Sequence, residues 1–355
     1  LDFKVNLNSL TYFHKDSLFW IMMDQNMNEI DTLRCANGLF PDYHDIQLVE
    51  GGGYILQSYH DSYMDMSQYI PNGHPNALVK SELVIQEFDS EDNLIFEWYA
   101  HEHLNIGDYS NLNIFLSEFT WMHGNSIEID FDNNLILSNR RSDEAIKIDR
   151  NTGEIIWILG GPNNDFTFLD DIYNGFSKQH DIRRLENENL LVFDNGTNHV
   201  PQLSRIIEYE LNLETMTADV VWEYSHPEGY VGLSMGSVQR LDNGNTLINW
   251  ANVQGYGSIL TEVNMEKEIV MEIIFPEGYR IYKARKFDWH FNVDMTIADL
   301  NLDSEINIVD ILLMVNIILY TENSIPLLQL FKGDLNIDGE INVTDIVGII
   351  DIILN

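Results

Sequence analysis

Short apolar runs of alternating period recur along most of this chain, each broken by an Asn- or Gly-containing turn. In the segment Trp121–Gly161 the runs Asn125–Asp130 and Leu135–Asn139 flank the turn Phe131-Asp132-Asn133-Asn134. The runs Ala145–Asp149 and Glu154–Leu159 flank Arg150-Asn151-Thr152-Gly153, whose glycine suits a residue with positive φ. Four antiparallel strands in about forty residues is the size of one propeller blade. Similar units open at His44, His180 and Gly236. The first is completed by Glu82–Phe88 and Leu94–Tyr99, the second by Arg205–Tyr209 and Val220–Tyr224, and the third by Ser258–Val263 and Glu268–Phe275. Closing strands carry Trp98, Trp157 and Trp222. Repetition at this period predicts a ring of small sheets, an all-β propeller of five to six blades, over residues 1–290. Four units are complete in the pattern. The runs Leu10–Phe13, Leu18–Met23 and Glu29–Arg34 are expected to join Tyr279–Phe287 in a fifth, closing the ring and removing free sheet edges. The insertions His101–Phe119 and Pro162–Ser177 read as long loops over one face, where function usually sits.

After Trp289 the period changes. Asp299-Leu-Asn301-Leu-Asp303-Ser-Glu305-Ile-Asn307-Ile-Val-Asp310 is repeated as Asp334-Leu-Asn336-Ile-Asp338-Gly-Glu340-Ile-Asn342-Val-Thr-Asp345. Oxygen side chains at positions 1, 3, 5, 9 and 12, with the carbonyl of Glu305 or Glu340 at position 7, form a calcium-loop ladder. Each ladder runs into an apolar helix, Val309–Tyr320 or Thr344–Leu354. Ser304 stands where the second loop has Gly339, which predicts slight strain in the first loop. Residues 291–355 therefore read as a small α-helical module holding two calcium ions.

Charge narrows the partners. With 19 Lys and Arg against 57 Asp and Glu, the formal net charge of −38 argues against nucleic acid and anionic membranes. The most apolar run, Ile311–Tyr320, is too short to span a bilayer. Cys35 is alone, so no disulfide can form within the chain. The expected location is secreted or at the cell surface, extracellular or periplasmic, any signal peptide having been removed.

In so acidic a chain, grouped cations and imidazoles stand out. His44, His123 and His180 each begin a blade, so strands lining the propeller axis would bring all three to one mouth. Asn125 lies two residues from His123, on the same side of an extended strand. Arg140 and Arg141 sit at the midpoint of that blade, and pairing with Asp143, Glu144 or Asp149 is the alternative use for one of them. Such a cluster suits either a transition metal or an anion, the latter with one histidine as nucleophile or base and the other groups donating to its oxygens.

The segments WMHGNS, SNRRSDEAIKIDRNTGEIIWILGG, FSKQHDIRRL with LLVFDNG, and MGSVQRLDNGNTLI resemble, in this order, the bacterial aryl sulfotransferases. The resemblance spans roughly residues 10–290. It implies a propeller, usually of six blades, and sulfuryl transfer from an aryl sulfate donor to a phenolic acceptor without a nucleotide cofactor. By position it makes His180 the nucleophile, with His123, Asn125 and Arg141 holding the sulfuryl oxygens and His44 completing the site. The family's disulfide is impossible here. The tail, with aspartate at position 12 and a 35-residue repeat, resembles the type I dockerin module. That implies calcium and a cohesin-like or self-association partner, contacted through Ile308-Val309 and Val343-Thr344. The rival reading is a non-catalytic propeller platform or assembly protein that uses the tail for protein contacts.

Overall fold

The computed structural model describes residues 3–288, 297–301, 303–319, 332–336, 338 and 340–354, in two compact units, Leu1–Trp289 and His290–Asn355. The first is a five-bladed β-propeller. Blade I comprises Phe3–Asn6, Ser9–His14, Phe19–Met23 and Glu29–Leu33. Blade II comprises Pro41–Leu48, Tyr54–Met64, Ala77–Phe88 and Leu94–Tyr99. Blade III comprises Gly124–Ile129, Leu135–Asn139, Glu144–Ile148 and Ile155–Leu159. Blade IV comprises His180–Arg184, Leu190–Asp194, Arg205–Asn212 and Thr217–Tyr224. Blade V comprises Ser237–Arg240, Thr246–Trp250, Ile259–Val263 and Ile269–Ile274. The two long insertions are more than loops. Each adds a short parallel strand to a blade, Glu118–Thr120 beside Ala77–Phe88 and Thr167–Leu169 beside Thr217–Tyr224.

Alternation along each strand sends apolar residues to both blade faces, so neighbouring blades bury a shared layer between them. Ile136, Trp157 and Leu159 of blade III, for example, share a core with Ile182, Leu190 and Ile207 of blade IV. The closing tryptophans also tie blades together by hydrogen bonds. Trp98 Nε1 donates to the Gly153 carbonyl at 3.0 Å, and Trp222 Nε1 donates to the Met265 carbonyl at 3.4 Å, each a turn of the next blade. This is how a large aromatic is buried without stranding its N–H.

The expected fifth blade is assembled differently. Blade I supplies its own fourth strand, Phe3–Asn6, and Tyr279–Phe287 does not pair with it as a strand. That segment takes a place beside blade V in the register of a sixth inner strand. From blade II to blade V, the peptide N–H of each inner strand is received by a side chain of the previous one. Ile127 N donates to Asp45 Oδ2 (3.0 Å), Ile182 N to Ser126 Oγ (3.1 Å) and Val238 N to Asp181 Oδ2 (2.9 Å). Ala284 N continues the series, donating to Ser237 Oγ at 2.9 Å. The strap thus places Tyr282 at the level of His44 and His180, two residues before the shared position.

Inside the ring the axis is filled by charge. Asp45 is fully buried and receives Lys4 Nζ at 2.6 Å and Arg183 Nη2 at 2.9 Å, with Lys283 Nζ at 3.5 Å. Asp181 receives Arg285 at 2.6 Å and Arg183 at 2.8 Å. Burial opposes ionisation of Asp45, but Arg183, Lys283 and Lys4 hold its carboxyl well below the usual range. Such a plug makes the propeller centre a floor and not a channel.

In the second unit the helices Ile308–Leu319 and Val343–Leu354 pack through Met314 and Ile349. Among the described residues, no helix is long and apolar enough to cross a membrane.

Candidate active site and calcium loops

The inner strands of blades II, III and IV share a defect. Each slips register where it faces the axis, between Pro41 and Ile46, between Gly124 and Ser126, and between His180 and Arg183, whereas blade V pairs without a slip. Asp181 at such a point has φ 54°, in the left-handed region. β-Bulges of this kind re-aim side chains beside active sites. Here they turn His44 and His180 into one cavity of about 720 Å³, within the usual range for a small-molecule site.

His123 reaches the same cavity from two residues upstream of the matching position, which Asn125 occupies. Aligning Ile46, Ile127 and Ile182 puts Asn125 level with His44 and His180. Asn125 is fully buried as the extra residue of its bulge, lies outside the cavity lining, and donates Nδ2 to the Gln179 carbonyl at 2.8 Å. Through that bond it holds the backbone that leads into His180, and its buried Oδ1 has no partner among the described residues. Arg141 is likewise absent from the cavity lining. Its side chain is exposed, and its carbonyl accepts from Asn111 and Lys178. Arg140 lines the cavity in its place. The reason is the ladder: Arg140 N donates to the His123 carbonyl at 2.9 Å, so Arg140 stays beside that histidine while the next residue turns outward.

His180 is 2% exposed and held at both ring nitrogens. The Asn195 amide donates Nδ2 to the carbonyls of Gly232 (2.7 Å) and Met235 (3.0 Å), so its oxygen must face the imidazole, and His180 Nδ1–H donates to it at 2.6 Å. Nε2 is then the lone-pair nitrogen, and it accepts the Met235 N–H at 3.2 Å. That amide is aimed by a left-handed turn, Met235 with φ 63° and Gly236 with φ 113°. A Cβ on Gly236 would stand 2.5 Å from the Phe193 ring, so only glycine fits there. Burial, with Arg140, His123 and His44 adding to it, pushes the His180 pKa well down, against the Asn195 bond.

His44 differs in kind. Its Nδ1 meets Asp42 Oδ1 at 2.5 Å, and Gln57 Nε2 donates to the same oxygen at 2.7 Å. Burial works against the Asp42 carboxylate, yet His44 and Gln57 hold its pKa below the ordinary value. The His44 ring stacks on Tyr43 at 4.2 Å and meets His123 edge-on at 4.7 Å and Tyr282 edge-on at 5.3 Å. Burial, together with His44, Arg140 and Arg141, pushes the His123 pKa down to about 3. Arg140 is half-buried; it donates Nη2 to the Leu233 carbonyl at 3.2 Å, and its buried Nε has no partner among the described residues.

The cavity thus holds a neutral imidazole of fixed tautomer, an imidazole backed by a carboxylate, a second neutral imidazole and a guanidinium with donors to spare. Asp42, Asn195, Met235 and Tyr282 were not singled out from the sequence. The Asp42-x-His44 spacing, same side of a strand, could have given the first.

A neutral buried histidine makes stability depend on pH. With the His123 folded value near 3 and the unfolded value 6.5, the unfolded chain binds the extra proton between them. The contribution to stability is complete above about pH 6.5 and falls as pH drops toward 3. Replacing His123 by Asn should flatten the melting temperature against pH in that window, measured by circular dichroism.

In the tail, each position-9 asparagine is a helix N-cap. Asn307 Oδ1 accepts Val309 N and Asn342 Oδ1 accepts Thr344 N, both at 2.8 Å, while Asp310 and Asp345 return the bond to Asn307 N and Asn342 N at 2.9 Å. Asp310 and Asp345 also accept from the backbone at positions 2 and 3. Asp299 accepts Asp303 N and Ser304 N, and Ser304 takes φ 68°. Asn301, Asp303, Asn336 and Asp338 are exposed around the two loops, with Asp334 half-buried. Glu305 and Glu340 are exposed, consistent with a main-chain role at position 7. Among the described residues no three His, Cys, Asp or Glu side chains close on one point, so asparagine and main-chain oxygens must complete a metal shell. Asp299 and Asp310 are both buried with Lys332 Nζ 3.8 Å from Asp299, and buried carboxylates in an all-oxygen loop fit a hard divalent cation.

A family model described as arylsulfotransferase (ASST) matches residues 4–283, and one described as dockerin type I domain matches residues 297–354. No curated protein matches the chain. Among solved structures, a protein of unknown function from Bacteroides caccae is 13% identical over 78% of this chain and 82% of its own, with a TM-score of 0.44. A catalytically inactive virginiamycin B lyase from Staphylococcus aureus, with quinupristin, is 8% identical over 78% of this chain and 69% of its own, TM-score 0.41. A Lactobacillus plantarum protein is 9% identical over 76% and 68%, TM-score 0.40. Likenesses this distant carry nothing about the site.

Proposed function

The chain belongs to the arylsulfotransferase family over its propeller and carries a dockerin type I module in its tail, and from that premise we propose that it moves a sulfuryl group from an aryl sulfate to a phenol through a sulfated His180. The observation that carries this reading is the fixed tautomer of His180, with Nδ1–H tied to Asn195 and the Nε2 lone pair on the cavity side.

Nε2 attacks sulfur in line as the aryl C–O–S bridge breaks at the S–O bond, and the phenolate leaves with a proton from His44 Nε2. Asp42 holds His44 Nδ1 and so fixes the ring with Nε2 as the acid–base atom, and His123, its pKa pushed down to about 3 chiefly by burial, is a hydrogen-bonding partner only. The Met235 N–H loses its acceptor once Nε2 bonds to sulfur, and can turn to a sulfuryl oxygen. Arg140 and His123 hold the others. In the second half His44 takes the acceptor phenol's proton, the phenol oxygen attacks sulfur, and the N–S bond breaks. Tyr43, stacked on His44 and open on its far side, offers a wall for the aryl ring.

Mass spectrometry of protein quenched after mixing with 4-nitrophenyl sulfate alone is expected to find one sulfuryl adduct, on His180. An adduct on His44 or His123, or none despite chromophore release, would overturn the assignment.

The tail, of a calcium-binding type, is proposed to take two ions, one per loop. Calcium titration of the full chain should show two sites, and chelation should lower helix content, since the buried Asp299, Asp310 and Asp345 then lose their counter-charge. Chelation without spectral change would exclude this. Exposed Ile308, Val309 and Val343 offer the surface for a cohesin-like partner outside the cell.

A further inference from the structure

The cavity is larger than a sulfuryl group and an unsubstituted ring require, and it contains one cation that the transfer chemistry leaves idle. Arg280 lines the cavity with its side chain exposed. Of the cations around the cavity, Arg140 is tied to the Leu233 carbonyl and set beside the histidines, and Lys283 is buried against Asp45 and the His44 carbonyl. Arg280 makes no hydrogen bond or ion pair among the described residues. In a chain with three acidic residues for each basic one (57 against 19), a guanidinium without a carboxylate is a departure from what mass action would arrange. Glu277, three residues earlier on the same loop, does not pair with it. An unpaired arginine also works against the long-range field: at a net charge of −38 the protein repels anions, so a local cation is needed to seat one.

Building on the proposed sulfuryl transfer, we propose that Arg280 recognises a second anionic group, a carboxylate on the aryl substrate, so that the preferred substrates are aryl sulfates or phenols bearing an acid. Arg140 and the histidines take the sulfuryl end, the ring lies along Tyr43, and the carboxylate meets Arg280 in a bidentate pair. Because the guanidinium is exposed, the pair is screened by salt, and the preference weakens as ionic strength rises.

The test uses ligands that cannot react, since a sulfonate's carbon–sulfur bond is not transferred. Affinities of 4-sulfobenzoate and of its methyl ester, which keeps the sulfonate charge and loses the carboxylate's, are measured calorimetrically on the full chain at low salt. A charge-assisted pair at an exposed guanidinium predicts that the acid binds about two- to fivefold more tightly than the ester. In Arg280→Gln that ratio should collapse toward one, and Arg280→Lys should restore part of it. Equal affinities in the unmutated protein, or a ratio that survives Arg280→Gln, would overturn the inference while leaving sulfuryl transfer intact. Failure of both ligands to bind would overturn both, because the sulfonate end would then have no seat.

Discussion

Turnover of 4-nitrophenyl sulfate should fall by at least about ten-thousandfold in His180→Asn, because no other lone-pair nitrogen in the cavity is placed to carry the sulfuryl group. His44 has its Nδ1 committed to Asp42 and is required as the acid, and His123 is not backed by a carboxylate. The asparagine is chosen for its shape. Its amide N–H can still donate to Asn195 Oδ1, so the buried oxygen that His180 satisfies at 2.6 Å is not left alone. The variant should therefore melt close to the unmutated protein, and it should still bind aryl sulfonates. Loss of rate with retained binding assigns His180 to the covalent step. Loss of both would place it among the binding groups, and unchanged rate would exclude the sulfohistidine route.

The parts of this molecule that depend on local periodicity were legible in the sequence. Strand pairs about an Asn or Gly turn set four blades, because hairpin register follows from a few consecutive residues. The tail was legible for the same reason: loop oxygens, N-caps and helix start all lie within twelve residues of one another. The strap was not. Tyr279–Lys286 has a strand-like composition, but its place beside blade V is set by side-chain acceptors such as Ser237 and Gln239, more than forty positions away. Nor could the site be read to the residue. Alternation along a strand assumes an unbroken register, and the bulges that create the cavity interrupt it at Asn125 and Asp181. The orienting groups Asp42 and Asn195 act through hydrogen bonds whose direction exists only in the fold. Asn195 lay within a recognised segment, LLVFDNG, without any feature of its own to mark it.

The choice between the adjacent arginines gives the sharpest contrast between sequence and structure. Arg140→Ala should lower kcat/KM by about a hundred- to a thousandfold, the usual effect of deleting one donor to a developing oxyanion. Arg141→Ala should change it by less than about threefold, in the range of an exposed, solvent-screened charge outside the cavity lining. Arg140 combines partial burial, a buried Nε with no partner among the described residues, a bond to the Leu233 carbonyl and a place in the cavity lining with the three histidines. Burial lowers its pKa, opposed by Asp143, but a guanidinium stays charged throughout the working range. Arg140→Lys would keep the charge and lose the fork, so a partial rescue, well short of full rate, separates charge from geometry. If Arg141→Ala were the damaging change, the exposed guanidinium would be the one that seats the sulfuryl group, and the assignment to Arg140 would fall. If both were harmless, the sulfuryl oxygens would be held without either guanidinium, by His123, the Met235 N–H or the other cations of the lining, Arg280 and Lys283.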